Sequence, residues 1–119
     1  MTARIVRAAA PLRLDFAGGW TDVPPFSTNE GGLVVNTAIS LYAHASVEPG
    51  GEGFLLTSED LQDQLRVSSI DELKGGGRLA LLQSALRLFP VGPCEITSRS
   101  EAPPGSGLGS SGALDVALV

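Results

Sequence analysis

The stretch Glu101–Val119, EAPPGSGLGSSGALDVALV, places glycines at alternate positions directly before an apolar run with helical spacing. That arrangement suits anion binding. Pro103 and Pro104 stop the preceding element, Gly105, Gly107 and Gly109 allow tight turns, and Ser110 and Ser111 stand where a helix N-cap belongs. Ala113, Leu114, Ala117 and Leu118 then recur as one helix face. The unpaired amides and positive dipole end of such a helix point back into the glycine loop. A Walker A loop needs Gly-Lys before Ser or Thr, and this loop has no lysine. A dinucleotide fingerprint needs a third glycine and a buried apolar strand before it, whereas the spacing here is Gly-x-Gly-x-x-Ser after the polar run Glu95–Glu101. A glycine-serine linker is the bland alternative; running straight into an apolar helix argues against it.

A second constellation lies in PLRLDFAGGWTDVPPF, residues 11–26. Gly18 and Gly19 loosen a strand and Pro24-Pro25 remove ladder donors, which leaves an irregular loop carrying Trp20, Thr21 and Asp22 beside Arg13. Such a set can grip a polyol. The carboxylate accepts from paired hydroxyls, the guanidinium donates, and the aromatic packs on the carbon face. The bland alternative makes Trp20 a core residue and Asp22 a turn former.

PPGSGLGSSGA closely resembles the phosphate-binding motif of the GHMP kinase superfamily. The resemblance implies that Pro104, Gly105, Ser106, Gly107, Leu108, Gly109, Ser110 and Ser111 wrap the phosphates of ATP. It also implies that Ser111 helps hold Mg2+, with Ser110 the second choice. PLRLDFAGGWTDVPPF resembles the N-terminal sugar-recognition motif of the same superfamily, and its GGWTD-x-PP form looks most like the L-fucose kinases and the D-glycero-D-manno-heptose phosphate kinases. By that resemblance Arg13 lies near the reacting hydroxyl and the transferred phosphoryl group, and Asp22 binds sugar hydroxyls. Gly19 and Trp20 stand in this substrate-binding set where galactokinases carry Glu-His, which disfavours galactose.

The implied fold is the α+β, ribosomal-protein-S5-domain-2-like N-terminal domain. The implied activity is ATP-dependent phosphorylation of a sugar hydroxyl. A GHMP kinase for a non-sugar alcohol such as mevalonate, and a non-catalytic nucleotide- or sugar-binding fragment, are the alternatives. The family's catalytic aspartate, a magnesium-binding glutamate and a third glycine motif are expected after Val119. The run from Ala113 reaches Val119 without a closing glycine, asparagine or basic residue. Residues 1–119 are accordingly expected to be the N-terminal domain of a longer enzyme, inactive alone.

A hydrophobic fraction of 43% in 119 residues is ample for a core. The net charge of −5, with one lysine (Lys74) and seven scattered arginines, disfavours nucleic acid or an anionic membrane as partner. The partners expected are a small sugar and ATP. Cys94 is alone, which excludes an internal disulfide or a multi-cysteine metal site, and is expected to be a small buried side chain. The N-terminus lacks the apolar core of a secretory signal, so the cytoplasm is the expected location.

The elements that must position these residues follow from periodicity. Strands are expected at Arg4–Ala9 and Pro11–Phe16, the latter with Leu12, Leu14 and Phe16 inward and Arg13 and Asp15 outward. Ala38–Val47 alternates with Ile39, Leu41, Ala43, Ala45 and Val47 inward, and these runs are expected to be antiparallel neighbours. His44 then falls on the opposite face as an exposed strand residue, with no ligand partner at local spacing; Asn36 could orient backbone near the sugar loop. Pro49–Gly53 is expected to turn as a hairpin into Phe54–Thr57, and Ser58–Asp63 to be a solvated acidic loop or edge. Ser69–Lys74 should form a short helical turn, Arg78–Phe89 a helix with Leu79, Leu82, Leu86 and Phe89 inward, and Glu95–Ser100 a last strand. Asp115 reads as a solvated helix residue.

Overall fold

The structure, a computed structural model, describes residues 4–119. Its frame is one five-stranded mixed sheet. In chain order the elements are β1 (Val6–Ala17), the single-turn α1 (Phe26–Asn29), β2 (Val35–Pro49), β3 (Phe54–Ser58), β4 (Asp63–Val67), a 3-10 turn (Ile70–Glu72), α2 (Ala80–Leu88), β5 (Cys94–Ser100) and α3 (Ser110–Leu118). The strand order is β1-β2-β5-β3-β4. All pairings are antiparallel except β3 with β5. The expected α+β class holds.

The expected hairpin between β2 and β3 does not form. β5 lies between them, pairing Pro49↔Cys94 on one side and Phe54↔Cys94 on the other. The Gly50 N–H donates to the Pro93 carbonyl at 2.8 Å and the Cys94 N–H to the Gly53 carbonyl at 3.2 Å, so the glycine-rich turn spans a third strand instead of closing on itself. Local turn chemistry looks the same in both cases, and only the long-range partner separates them.

The inner face buries two clusters. One joins Leu82 and Leu86 of α2, and Leu79 at its start, to Phe54, Leu56, Leu73, Cys94 and Ile96. Burial pushes the Cys94 thiol above its ordinary value, as a small structural side chain requires. The cluster under α3 is built from Ala10, Leu12, Ala43, Ala45, Ala102, Ala113 and Ala117. Small residues on facing surfaces let α3 lie low over β1 and β2, bringing the glycine loop to the sheet.

Three expectations need correction. Leu14 and Phe16 are 43% and 65% exposed, because α3 covers β1 only at Ala10 and Leu12 and nothing described packs over its last turn of sequence. The strand β4, which starts at Asp63 where the expected acidic loop ends, was not foreseen; it forms the sheet edge, paired from Phe54↔Val67 to Ser58↔Asp63. The N-cap of α3 is Gly109, in the left-handed conformation, not a serine; Ser110 and Ser111 are its first helical residues. The 3-10 turn, in contrast, carries the capping box of Ser69 and Glu72. No described helix is long and apolar enough to cross a membrane.

Candidate active site

The two constellations meet at Arg13. The β1–β2 register jumps from Pro11↔Tyr42 to Arg13↔Ala38, an irregularity at Leu12 after which Arg13 rejoins the ladder. Its N–H donates away from β2, to the Leu108 carbonyl at 3.0 Å, tying the glycine loop to β1. Arg13 Nε donates to Asp15 Oδ1 at 3.0 Å, a half-exposed pair that orients the guanidinium. The far end of that guanidinium lies against the helix N-cap: a Cβ on Gly109 would come within 2.7 Å of Arg13 Nη1.

Arg13 therefore lines two adjoining spaces. One, of about 320 Å³, is bounded by Gly105 to Gly112 and is the expected cradle. The other, of about 610 Å³, is lined by Arg13, Asp15, Gly19, Trp20, Asp22, Asn36, Gly107 and Gly109 among others. All four expected substrate-binding residues share this second cleft. Trp20 is 82% exposed with φ of 71°, so the alternative of a core tryptophan fails. Its ring is offered to solvent beside Asp22.

Thr21 has a different duty from its neighbours. Its hydroxyl donates to the Gly18 carbonyl at 2.7 Å and accepts from the Leu33 N–H at 3.1 Å, stapling the loop to the entry of β2. Pro104 lies outside the cradle and lines a third space of about 360 Å³ behind it, with Gly105, Ser110, Ser111, Asp60, Arg78 and Leu79. The loop thus has a cavity on either side. Ser110 Oγ is engaged by Ser100 Oγ at 3.1 Å, while Ser111 borders both spaces and makes no side-chain hydrogen bond among the described residues. No cluster of three metal-ligating side chains exists among the described residues.

Residues 77–119 match the family description "GHMP kinases N terminal domain". Over these residues the chain is similar to a GHMP kinase N-terminal domain. It is 31% identical over 141 residues to an L-fucokinase/L-fucose-1-P guanylyltransferase of Bacteroides fragilis, covering 93% of this chain and 15% of that protein. It is 31% identical over 123 residues to a D-glycero-alpha-D-manno-heptose 7-phosphate kinase of Campylobacter jejuni, covering 98% of this chain and 36% of the relative. A crystal structure of a D-glycero-D-manno-heptose 1-phosphate kinase from Bacteriodes thetaiotaomicron superposes with a TM-score of 0.83 at 34% identity, over 97% of this chain and 40% of that one. The chain thus spans well under half the length of each of these relatives.

Three contributors to this candidate site escaped sequence reasoning. Asp15 was assigned to the outward face of a strand, yet it holds Arg13. Asp60 was assigned to a solvated loop, yet it accepts from the Ser100 N–H at 3.2 Å behind the loop. Glu101 meets His44 across 57 positions, at 2.7 Å. Only the i to i+2 spacing of Arg13 and Asp15 offered a local signal.

Proposed function

We propose that this domain serves an ATP-dependent kinase that phosphorylates a hydroxyl of a fucose- or heptose-type sugar. One observation carries the reading: Arg13 borders both the cleft of Trp20 and Asp22 and the cradle of Gly105–Gly112. A donor phosphate in the cradle and a sugar hydroxyl in the cleft would then face the same guanidinium.

The loop amides and the N-terminus of α3 receive the nucleotide phosphates, whose charge they complement. Asp22 accepts hydrogen bonds from neighbouring sugar hydroxyls, and Trp20 covers a carbon face. Arg13, oriented by Asp15, donates to the phosphoryl oxygens as charge moves onto them, the main protein contribution to phosphoryl transfer. ATP would supply the phosphoryl group, and a bound Mg2+ would supply charge neutralisation at its oxygens. The unengaged hydroxyl of Ser111 fits a magnesium ligand, since this ion takes few protein oxygens beside waters and phosphates. Ser110 is already bonded to Ser100, which favours Ser111.

The test is a panel of L-fucose, D-galactose, a heptose 7-phosphate and mevalonate, assayed with the full protein and with Asp22→Asn. Turnover of fucose or a heptose phosphate is expected. Asp22→Asn should weaken sugar binding about tenfold or more while leaving ATP affinity in place, the usual loss for a hydrogen bond to a charged group. A preference for mevalonate, or loss of ATP binding with sugar binding intact, would overturn the assignment.

A further inference from the structure

The cradle is suspended between two anchors, and only one belongs to the substrate cleft. The β2–β5 ladder makes its last rung at Ala43↔Ser100, after which Pro103 and Pro104 lead the chain away from the sheet. At that point the Glu101 N–H donates to the Tyr42 carbonyl at 3.0 Å. The Tyr42 N–H would lack its next backbone acceptor, and Glu101 Oε2 takes it at 3.1 Å. Glu101 Oε1 meets His44 Nε2 at 2.7 Å, with Arg99 Nη2 3.9 Å away. Ala102 is buried behind this anchor, its N–H on Ser100 Oγ at 3.3 Å. The far anchor is the Leu108 carbonyl on Arg13.

We propose that Glu101 and His44 are positioning residues for nucleotide binding, holding the entry of the glycine loop so that its amides keep their aim. The inference rests on the kinase reading for its activity readout, though its structural half stands alone. Neither side chain lines the cradle or the sugar cleft; His44 points to the sheet face opposite the helices. An ordinary surface ion pair would be worth little. This carboxylate differs because it also completes a backbone ladder at the exact residue where the loop departs. Altering it should therefore move the loop more than the fold.

Amide hydrogen exchange and steady-state kinetics on the full protein test this with Glu101→Ala, Glu101→Gln, His44→Leu and His44→Gln. In Glu101→Ala the amides of Gly105 to Gly109 should exchange about fivefold faster, with those of β3 and α2 unchanged, as for loss of a local anchor. KM for ATP should rise by a similar factor while kcat and the sugar KM stay within about twofold. Glu101→Gln keeps an acceptor for Tyr42 and His44→Gln keeps a donor for Glu101, so both should recover most of the effect that Glu101→Ala and His44→Leu produce. Unchanged loop exchange in Glu101→Ala, or equal rises in both KM values, would overturn the proposal. If the unaltered protein binds no ATP, the kinase reading fails, and the exchange of Gly105 to Gly109 still decides the anchor.

Discussion

The domain has two glycine-bearing loops at one end of its sheet, and their glycines are demanded by different things. In the loop that follows β1, a Cβ on Gly18 would land on the Leu33 carbonyl oxygen, and one on Gly32 would land on the Thr21 carbonyl. Those glycines exist because backbone packs against backbone. In the second loop, a Cβ on Gly105 or Gly107 would meet nothing within 4 Å. The protein itself leaves that space free. Gly18 and Gly32, required by internal contacts, make their loop a mount that presents Trp20 and Asp22; Gly105 and Gly107, facing open space, leave room for a ligand's close approach, while Gly109 behind them lies against Arg13.

The comparison is broken most directly at Gly18. Gly18→Ala combines a left-handed backbone, φ of 79°, with a collision against a carbonyl that belongs to the entry of β2. Stability should fall by roughly 3 kcal/mol or more, read as a lower urea midpoint at unchanged slope. Sugar binding should be lost with it. An alanine tolerated there would mean that the loop is not clamped by Thr21 and Leu33.

Gly107→Val sharpens the other side. Its φ of 74° is unfavourable for a branched residue, so stability should drop by roughly 1–2 kcal/mol, with no collision to add. ATP affinity, measured by calorimetry, should fall below detection, since the side chain fills the face that phosphate must approach. Full ATP binding in this variant would remove the cradle. Loss of function without comparable loss of stability is the outcome that separates the two loops.

Much of this was legible in the residues, and the illegible part has a common cause. Alternation found the inward set of β2, Ile39 to Val47, and helical spacing found Leu82 and Leu86 of α2. Glycine and proline spacing marked both loops, because turn chemistry is local. What stayed hidden required knowing which segments meet. Leu14 and Phe16 alternate as well as Leu12 does, but only the reach of α3 over β1 decides which is covered. The insertion of β5 between β2 and β3 turned an expected hairpin into an arch. His44 was correctly placed on the outer face, and its acid partner Glu101 could not be found at local spacing.

A smaller effect distinguishes the two serines of the cradle. Ser111→Ala should lower turnover and weaken the magnesium dependence, because the hydroxyl it removes borders the cradle and makes no side-chain hydrogen bond among the described residues. Ser110→Ala should lose instead the bond to Ser100, costing about 1 kcal/mol of stability with a lesser change in magnesium dependence. A titration of activity against Mg2+ for both variants reads this out. The reverse order would move the ligand to Ser110.

The smallest expected effect lies at the anchor of the open loop and depends on pH. Hydrogen bonding from His44, then from the Tyr42 N–H, holds the Glu101 carboxyl below its ordinary value of 4.5, with positive charge on His44 and Arg99 adding to the shift and desolvation opposing it. Arg7 and Glu59 border the same outer surface beside His44 and Arg99. A carboxyl depressed in the folded state stabilises the fold above its unfolded value, and that contribution disappears as pH falls from 4.5 through the lower folded value. Glu101→Gln has no such titration. The unfolding midpoints of the two proteins should therefore differ slightly near about pH 6 and converge by about pH 3, while exchange at Gly105 to Gly109 in the unaltered protein, corrected for intrinsic rate, rises over the same interval. A difference that stays constant with pH would mean that the charge of Glu101 does nothing for the loop it precedes, leaving only the shape of its side chain to hold Tyr42.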